Sequence, residues 1–265
     1  MQKKFEKWLI LPDLQIPYHD SITLAAVEEY MKDVQSSPEP FDGWLQIGDF
    51  LDFNELSRYN DGAEGSVVDE LEDSYAAGNG FLDRHQKIMG KKCKYVLLEG
   101  NHDYRAFDQA QKNINKKFRG YLNYEKHLKL RERKIKWVKS WQNGEIYKIG
   151  KAYFRHGLYT NQYHAKKMVD RHGVNIFYGH THDVMEIPVV QMGKDKTLAG
   201  KSLGCLCDYN QKYLRGAPTN WQQAFSVFFF EPDGFFNEYT TRIFNHSFRS
   251  IEGKYYDGNQ IVRRK

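Results

Sequence analysis

The stretch Phe41-Asp42-Gly43-Trp44-Leu45-Gln46-Ile47-Gly48-Asp49-Phe50-Leu51-Asp52 decides how the rest of the chain reads. A largely apolar run from Phe41 to Ile47 has the length of a buried strand. It ends on Gly48-Asp49, where the chain turns and offers a carboxylate. The same join recurs four more times. Lys7 to Leu11 runs into a loop, Pro12 to Asp20, that begins Asp13-Leu14-Gln15. Cys93 to Leu98 runs into Glu99-Gly100-Asn101-His102-Asp103. Ala152 to Arg155 ends at His156-Gly157, and Val174 to Tyr178 ends at Gly179-His180-Thr181-His182. Taken singly, each fragment reads as a turn or helix cap, where Asp, Asn and Gly are common. Together they place an oxygen or imidazole donor just past the end of five strands, which is where open α/β sheets form their sites.

Between these joins the pattern predicts helices at Ser21 to Lys32, capped by Asp20 or Ser21, and at Val68 to Met89, with Gly78 and Gly80 as possible interruptions. A polar, basic, helix-prone stretch follows at Tyr104 to Arg133, and another helix at Asn161 to His172. Short strands are predicted at Ile135 to Val138 and Glu145 to Ile149. The last third is strand-rich: Val184 to Gln191, Lys196 to Leu203, Phe225 to Phe230 and Glu238 to Phe244. Helices alternating with strands, then strands dominating, predict an α/β fold: a four-layer α-β-β-α sandwich of two packed mixed sheets flanked by helices. The 265 residues are read as a single domain, with a basic helical insertion at about 104–134 and a strand-rich part at about 184–265.

The composition, 40% hydrophobic and 28% charged, suits a globular protein with a sizeable core. The net charge of +5 is compatible with a polyanionic substrate and does not require one. Three cysteines are too few for a disulfide framework and point to a reducing compartment. Cys205-Leu206-Cys207 lacks the usual zinc spacing; as alternate residues of a strand its thiols share one face, and core packing is preferred over a metal pair. Trp8 to Leu11 is too short for a signal sequence or membrane span, so no membrane partner and a cytoplasmic location are expected.

The order Asp-x-Gln, Gly-Asp-x-x-Asp, Gly-Asn-His-Asp, His-Gly, Gly-His-Thr-His resembles the calcineurin-like metallophosphoesterase superfamily, over Asp13 to His182. Ser202 to Cys207 with Asn220-Trp221 is similar to its bacteriophage-type members, which would put a phage-encoded chain in the host cytoplasm. The resemblance implies two divalent metals. One is held by Asp13, Gln15, Asp49 and His182, the other by Asp49, Asn101, His156 and His180, with Asp49 bridging. The mixed nitrogen and oxygen set suits Mn²⁺ most, with Mg²⁺ or Fe²⁺ as alternatives. Gln15 stands where an imidazole is commoner; either its amide oxygen binds, shifting preference toward Mg²⁺ or Mn²⁺, or it points away. His102 is implied as the catalytic group facing the leaving oxygen, oriented by Asp52. The reaction implied is hydrolysis of a phosphate ester by a hydroxide bridging the two metals.

Protein phosphatases of this superfamily carry Gly-Asp-x-Val-Asp-Arg-Gly. Here Phe53-Asn54 follows Asp52, and that arginine is absent. Two enzyme readings remain. A nuclease acting on DNA or RNA draws on the basic segment Lys112 to Arg133 with Phe118, Tyr121, Tyr124 and Trp137 interleaved, against an ordinary solvated basic face. A hydrolase of nucleotide diphosphates or cyclic nucleotides draws on Gln15 and on Tyr18, His19, Tyr104 and Arg105 as substrate contacts, against loop packing. A non-catalytic metal-binding scaffold ranks below both, since His102 and the ligand positions keep competent residues.

Overall fold

The computed structural model describes residues 5–57, 67–111, 120, 122–191, 196–211, 214 and 216–264. In chain order the first half runs β1 (Glu6–Leu11), α1 (Ser21–Gln35), β2 (Gly43–Gln46), α2 (Val67–Met89), β3 (Lys94–Leu98), α3 (Tyr104–Gln111), α4 (Tyr124–His127) and β4 (Ile135–Val138). Then follow β5 (Tyr147–Ile149), β6 (Ala152–Arg155), α5 (His164–His172), β7 (Asn175–Tyr178), β8 (Glu186–Gln191) and β9 (Lys196–Ser202). The chain closes with β10 (Ala224–Phe230), β11 (Phe236–Arg242), β12 (Ser247–Arg249), β13 (Tyr255–Asp257) and α6 (Gly258–Arg263).

Two mixed sheets carry the fold. The first has the order β11-β10-β1-β2-β3-β4, with β1 to β4 parallel and β10 and β11 antiparallel at one side; the second has the order β5-β6-β7-β9-β8. Alternation along each strand explains the layering, because successive side chains face opposite sides of a sheet. Leu9, Leu11, Trp44, Tyr95 and Leu97 face the helices α1 and α2. Their neighbours Trp8, Ile10, Leu45, Val96 and Leu98 face inward and meet Phe154, Phe177 and Leu203 of the other sheet's side. A third cluster joins α5, through Ala165, Met168 and Val169, to Ile176, Tyr178 and Leu198. Three apolar interfaces separate four layers, as the strand pattern predicts.

Differences from the sequence reading have local causes. The helix α1 runs on to Gln35, and its cap is Asp20, whose Oδ1 accepts from the Ile22 and Thr23 amides at 3.1 and 2.9 Å. Gly78 and Gly80 do not interrupt α2. The strand expected at Glu238 to Phe244 lies at Phe236–Arg242, because Phe244 already pairs with Ser247 across a two-residue turn. The helix expected from Asn161 begins at His164; Asn161 instead accepts from the Tyr163 amide at 3.1 Å. The basic stretch holds two short helices, α3 and α4, while Lys112, Lys116, Lys117, Phe118, Arg119 and Tyr121 lie outside the described residues. The acidic stretch 61–66 lies outside them too. Among the described residues no helix is long and apolar enough to cross a membrane.

Candidate metal centre

The two sheets bring their parallel strands' carboxyl ends to one seam. The loops after β1, β2 and β3 come from the first sheet, and those after β6 and β7 from the second. Hydrogen bonds stitch them together. The Gln15 amide donates to Asp49 O at 2.8 Å, the His102 amide to Asp49 Oδ1 at 2.8 Å, the Gly179 amide to His156 O at 2.9 Å, and the His180 amide to Asp13 Oδ1 at 2.9 Å. Nine non-glycine residues have positive φ among the described residues, and four of them are Gln15, Asp49, His180 and His182. Such backbone costs of order 1–3 kcal/mol per residue and concentrates where a fold must aim a side chain.

The predicted metal residues converge as two groups that share one carboxylate. Donor atoms of Asp49, His156 and His180 lie within 4.8 Å of one another, and so do those of Asp13, Asp49 and His182. Asn101 joins the first group, its Oδ1 2.9 Å from His156 Nε2 and 2.8 Å from His180 Nδ1. Gln15 joins the second, its amide 3.4 Å from His182 Nε2. His182 Nε2 lies 3.4 Å from Asp13 Oδ1, and His156 Nε2 lies 3.3 Å from Asp49 Oδ1. The oxygen donors all come from the first sheet and the imidazoles all from the second.

These residues fit a pair of divalent cations. Asp13 Oδ2 and Gln15 Oε1 are buried with no hydrogen-bond partner, although buried polar atoms are normally satisfied. Two glycines leave room for the carboxylates. A Cβ on Gly179 would lie 2.0 Å from Asp13 Oδ2, and one on Gly100 2.1 Å from Asp49 Oδ1. The electrostatics agree. Burial disfavours charge on His156 and His182, but Asp49 and Asp13 outweigh it and push both rings up to about 9. Burial and the neighbouring His156 bring His180 down to about 4. Burial opposes ionisation of Asp49, yet His156 and His102 hold it well below the usual carboxylate range. The carboxylates therefore demand positive charge, which protons on imidazole or divalent cations both supply.

His102 stands at the edge of this cluster. Its Nδ1 is 2.7 Å from Asp52 Oδ1 and its Nε2 3.8 Å from Asp49 Oδ2. Burial opposes its charged form, but Asp49 and Asp52 raise its pKa nonetheless. Arg105 reaches the same corner: its Nη1 donates to Asp52 O at 2.8 Å, and its Nη2 lies 3.4 Å from His102 Nε2. Asp103 binds no candidate metal position. It is buried and accepts from the amides of Phe50, Leu51 and Gly100 and from the Tyr124 hydroxyl, so it clamps the Gly48-Asp49 loop to the Gly100-Asn101 loop.

The other predicted contacts divide. Arg105 is in the site. Tyr18 is 41% exposed, beside the Asp13 loop, and its amide donates to Gln15 O. His19 packs edge-on to Phe81, and Tyr104 lies against Phe107. The aromatic-and-basic track loses members within the described residues. Tyr124 is buried and stacks on Trp137 at 4.7 Å, and Arg133 pairs with Asp83 at 2.7 Å. Several residues that complete the site were missed. Ser140 accepts from the His156 amide at 3.1 Å, and Trp141 packs against the His156 and His180 rings. They follow β4, so the strand-end rule applied to a fourth parallel strand points to them. Trp221 meets His182 at 4.4 Å between ring centroids.

No family model matches the chain. The Gene 54 protein of Mycobacterium phage D29 is 26% identical over 233 residues, spanning 83% of this chain and 87% of that protein. The Gene 54 protein of Mycobacterium phage L5 is 26% identical over 245 residues, with the same two shares. Among solved structures, vacuolar protein sorting 29 from Cryptosporidium parvum aligns with 91% of this chain and 99% of its own, at 13% identity and a TM-score of 0.44. The Pseudomonas putida nuclease MPE aligns over 83% of each chain, at 15% identity and a TM-score of 0.36. In the order of its motifs, the chain is similar to the calcineurin-like metallophosphoesterases.

Proposed function

We propose that this chain is a metal-dependent phosphoesterase of the calcineurin-like kind, cleaving phosphodiesters of nucleic acids or nucleotides. The observation that carries the reading is the pair of donor groups sharing Asp49, with the His102–Asp52 pair at their edge. Asp13, Gln15, Asp49 and His182 would hold one divalent cation, and Asp49, Asn101, His156 and His180 the other. Mn²⁺ suits this mixed set best. Bound there, the cations neutralise phosphate charge and supply an activated water.

The chain's own residues do the rest. His102 carries a proton on Nε2 and delivers it to the departing oxygen. Asp52 accepts from Nδ1, which fixes the ring's tautomer and keeps it protonated. Arg105 adds a fixed positive charge beside the same oxygen. The amides of His102 and His180 hold the Asp49 and Asp13 carboxylates, and the Gln15 amide ties the two loops' backbones together.

The test is hydrolysis of bis(p-nitrophenyl) phosphate by the full chain loaded with Mn²⁺, Mg²⁺, Fe²⁺ or Co²⁺. Turnover is expected, and His102→Ala should lose it while still binding metal. No turnover with any of the four ions would sink the proposal. A panel of DNA, RNA, cyclic nucleotides and nucleotide diphosphates then separates the substrate classes.

A further inference from the structure

The candidate centre uses one nitrogen of His182. The other faces a different chemistry. His182 Nδ1 lies 3.9 Å from Cys207 Sγ, and donor atoms of His182, Cys205 and Cys207 all fall within 4.8 Å of one another. All three residues are buried. We infer that His182, Cys205 and Cys207 form a third metal site, for a borderline or soft cation such as Zn²⁺, sharing the His182 ring with the oxygen-rich pair.

Geometry supports this. Zinc bonds of about 2.3 Å to sulfur and 2.05 Å to nitrogen at a tetrahedral angle put the two ligand atoms about 3.6 Å apart. The observed 3.9 Å needs only a small closure. The segment is also held in place. Leu206 is bonded on both sides, its amide to Asp13 O at 2.9 Å and its carbonyl to the Asp20 amide at 3.0 Å. The Cys205 amide donates to Gln222 O, and the Ala224 amide to Cys205 O. Extended backbone fixed this way sends Leu206 into the helix-side core and both thiols the other way, toward His182. A plain core face would set the sulfurs against carbon; here Cys207 Sγ faces an imidazole nitrogen, with the Cys205 thiol in the same group. A cavity of about 830 Å³, lined by Asp208, Tyr209, Trp221 and Gln222 among others, lies beside this loop.

Two thiolates and an imidazole select a different ion from a carboxylate-rich set. On binding, Cys205 and Cys207 release their S–H protons to solvent and His182 Nδ1 gives its lone pair. The ring proton then sits on Nε2 and points at Asp13 Oδ1. The soft ion would thus compete with the hard cation held by Asp13 and His182, and excess Zn²⁺ should weaken Mn²⁺ binding there.

The test is Co²⁺ titration of the full chain under a phosphine reductant, read by absorption. Thiolate-to-cobalt charge-transfer bands in the near ultraviolet are expected, displaced by Zn²⁺ and lost in Cys205→Ser and in Cys207→Ser. Asp49→Asn should keep the bands while losing Mn²⁺ binding, so this site and the proposed function fail separately. Wild-type protein with no charge-transfer bands at saturating Co²⁺, or bands that survive both serine substitutions, would overturn the inference.

Discussion

His102 sits between two carboxylates, Asp52 at 2.7 Å and Asp49 at 3.8 Å, and they decide its protonation. A proton donor works only while charged, so activity falls as pH rises through its pKa. Asp52→Asn removes one of the groups that raise that pKa. The alkaline limb of the kcat profile should move to lower pH, and kcat should drop about 100-fold. An unmoved limb would assign the proton to another group. The imidazoles of His156 and His182 set a second pH dependence. Both are raised from 6.5 to about 9, and a cation must displace their protons. Mn²⁺ affinity, measured by calorimetry, should therefore climb from neutrality to about pH 9 and level off above it. In protein stripped of metal the sign for stability is the opposite. The raised rings stabilise the fold fully below 6.5, and that contribution is lost as pH rises through about 9.

At the scale of elements, the loops matter more than the strands they follow. Gly179 closes β7 against Asp13 Oδ2 at a distance no Cβ tolerates. Gly179→Ala should displace the Asp13 carboxylate and lower metal affinity at least about tenfold, with far-ultraviolet circular dichroism unchanged. Wild-type affinity in that variant would show the loop to be more pliant than its contacts imply. The five strand-end joins were legible because each is local: an apolar run, then a turn residue, then a ligand. Ser140, Trp141 and the thiols near His182 were not, since their roles depend on neighbours far away in sequence. Cys207 and His182 are brought together only when the loop after β9 crosses the loop after β7. The three-residue strands β12 and β13 and the six-residue helix α6 were not among the predicted elements; segments this short hold little of a period. Yet Phe248 and Tyr256 there complete the core around Tyr30 and Phe225.

For the whole molecule, four layers follow from strand alternation alone, but which loops meet follows from how the sheets stack. Metal binding should stabilise the fold by about 2.7 kcal/mol for one site at a hundredfold excess over Kd. For a chain of this size, chelation should lower Tm by about 5–10 °C. Asp49→Asn should abolish the rise in Tm that Mn²⁺ gives; a wild-type Tm that ignores chelation would contradict a shared two-cation site.

The division of donors between the sheets has a mechanical consequence. Asp13, Gln15, Asp49 and Asn101 ride on one sheet, while His156, His180 and His182 ride on the other. Bound cations would act as rivets across the seam. Any shear of one sheet over the other then changes the spacing of the rivets, so the aromatic layer of Phe154, Phe177 and Phe228 between the sheets becomes a calibrating shim for chemistry it never touches.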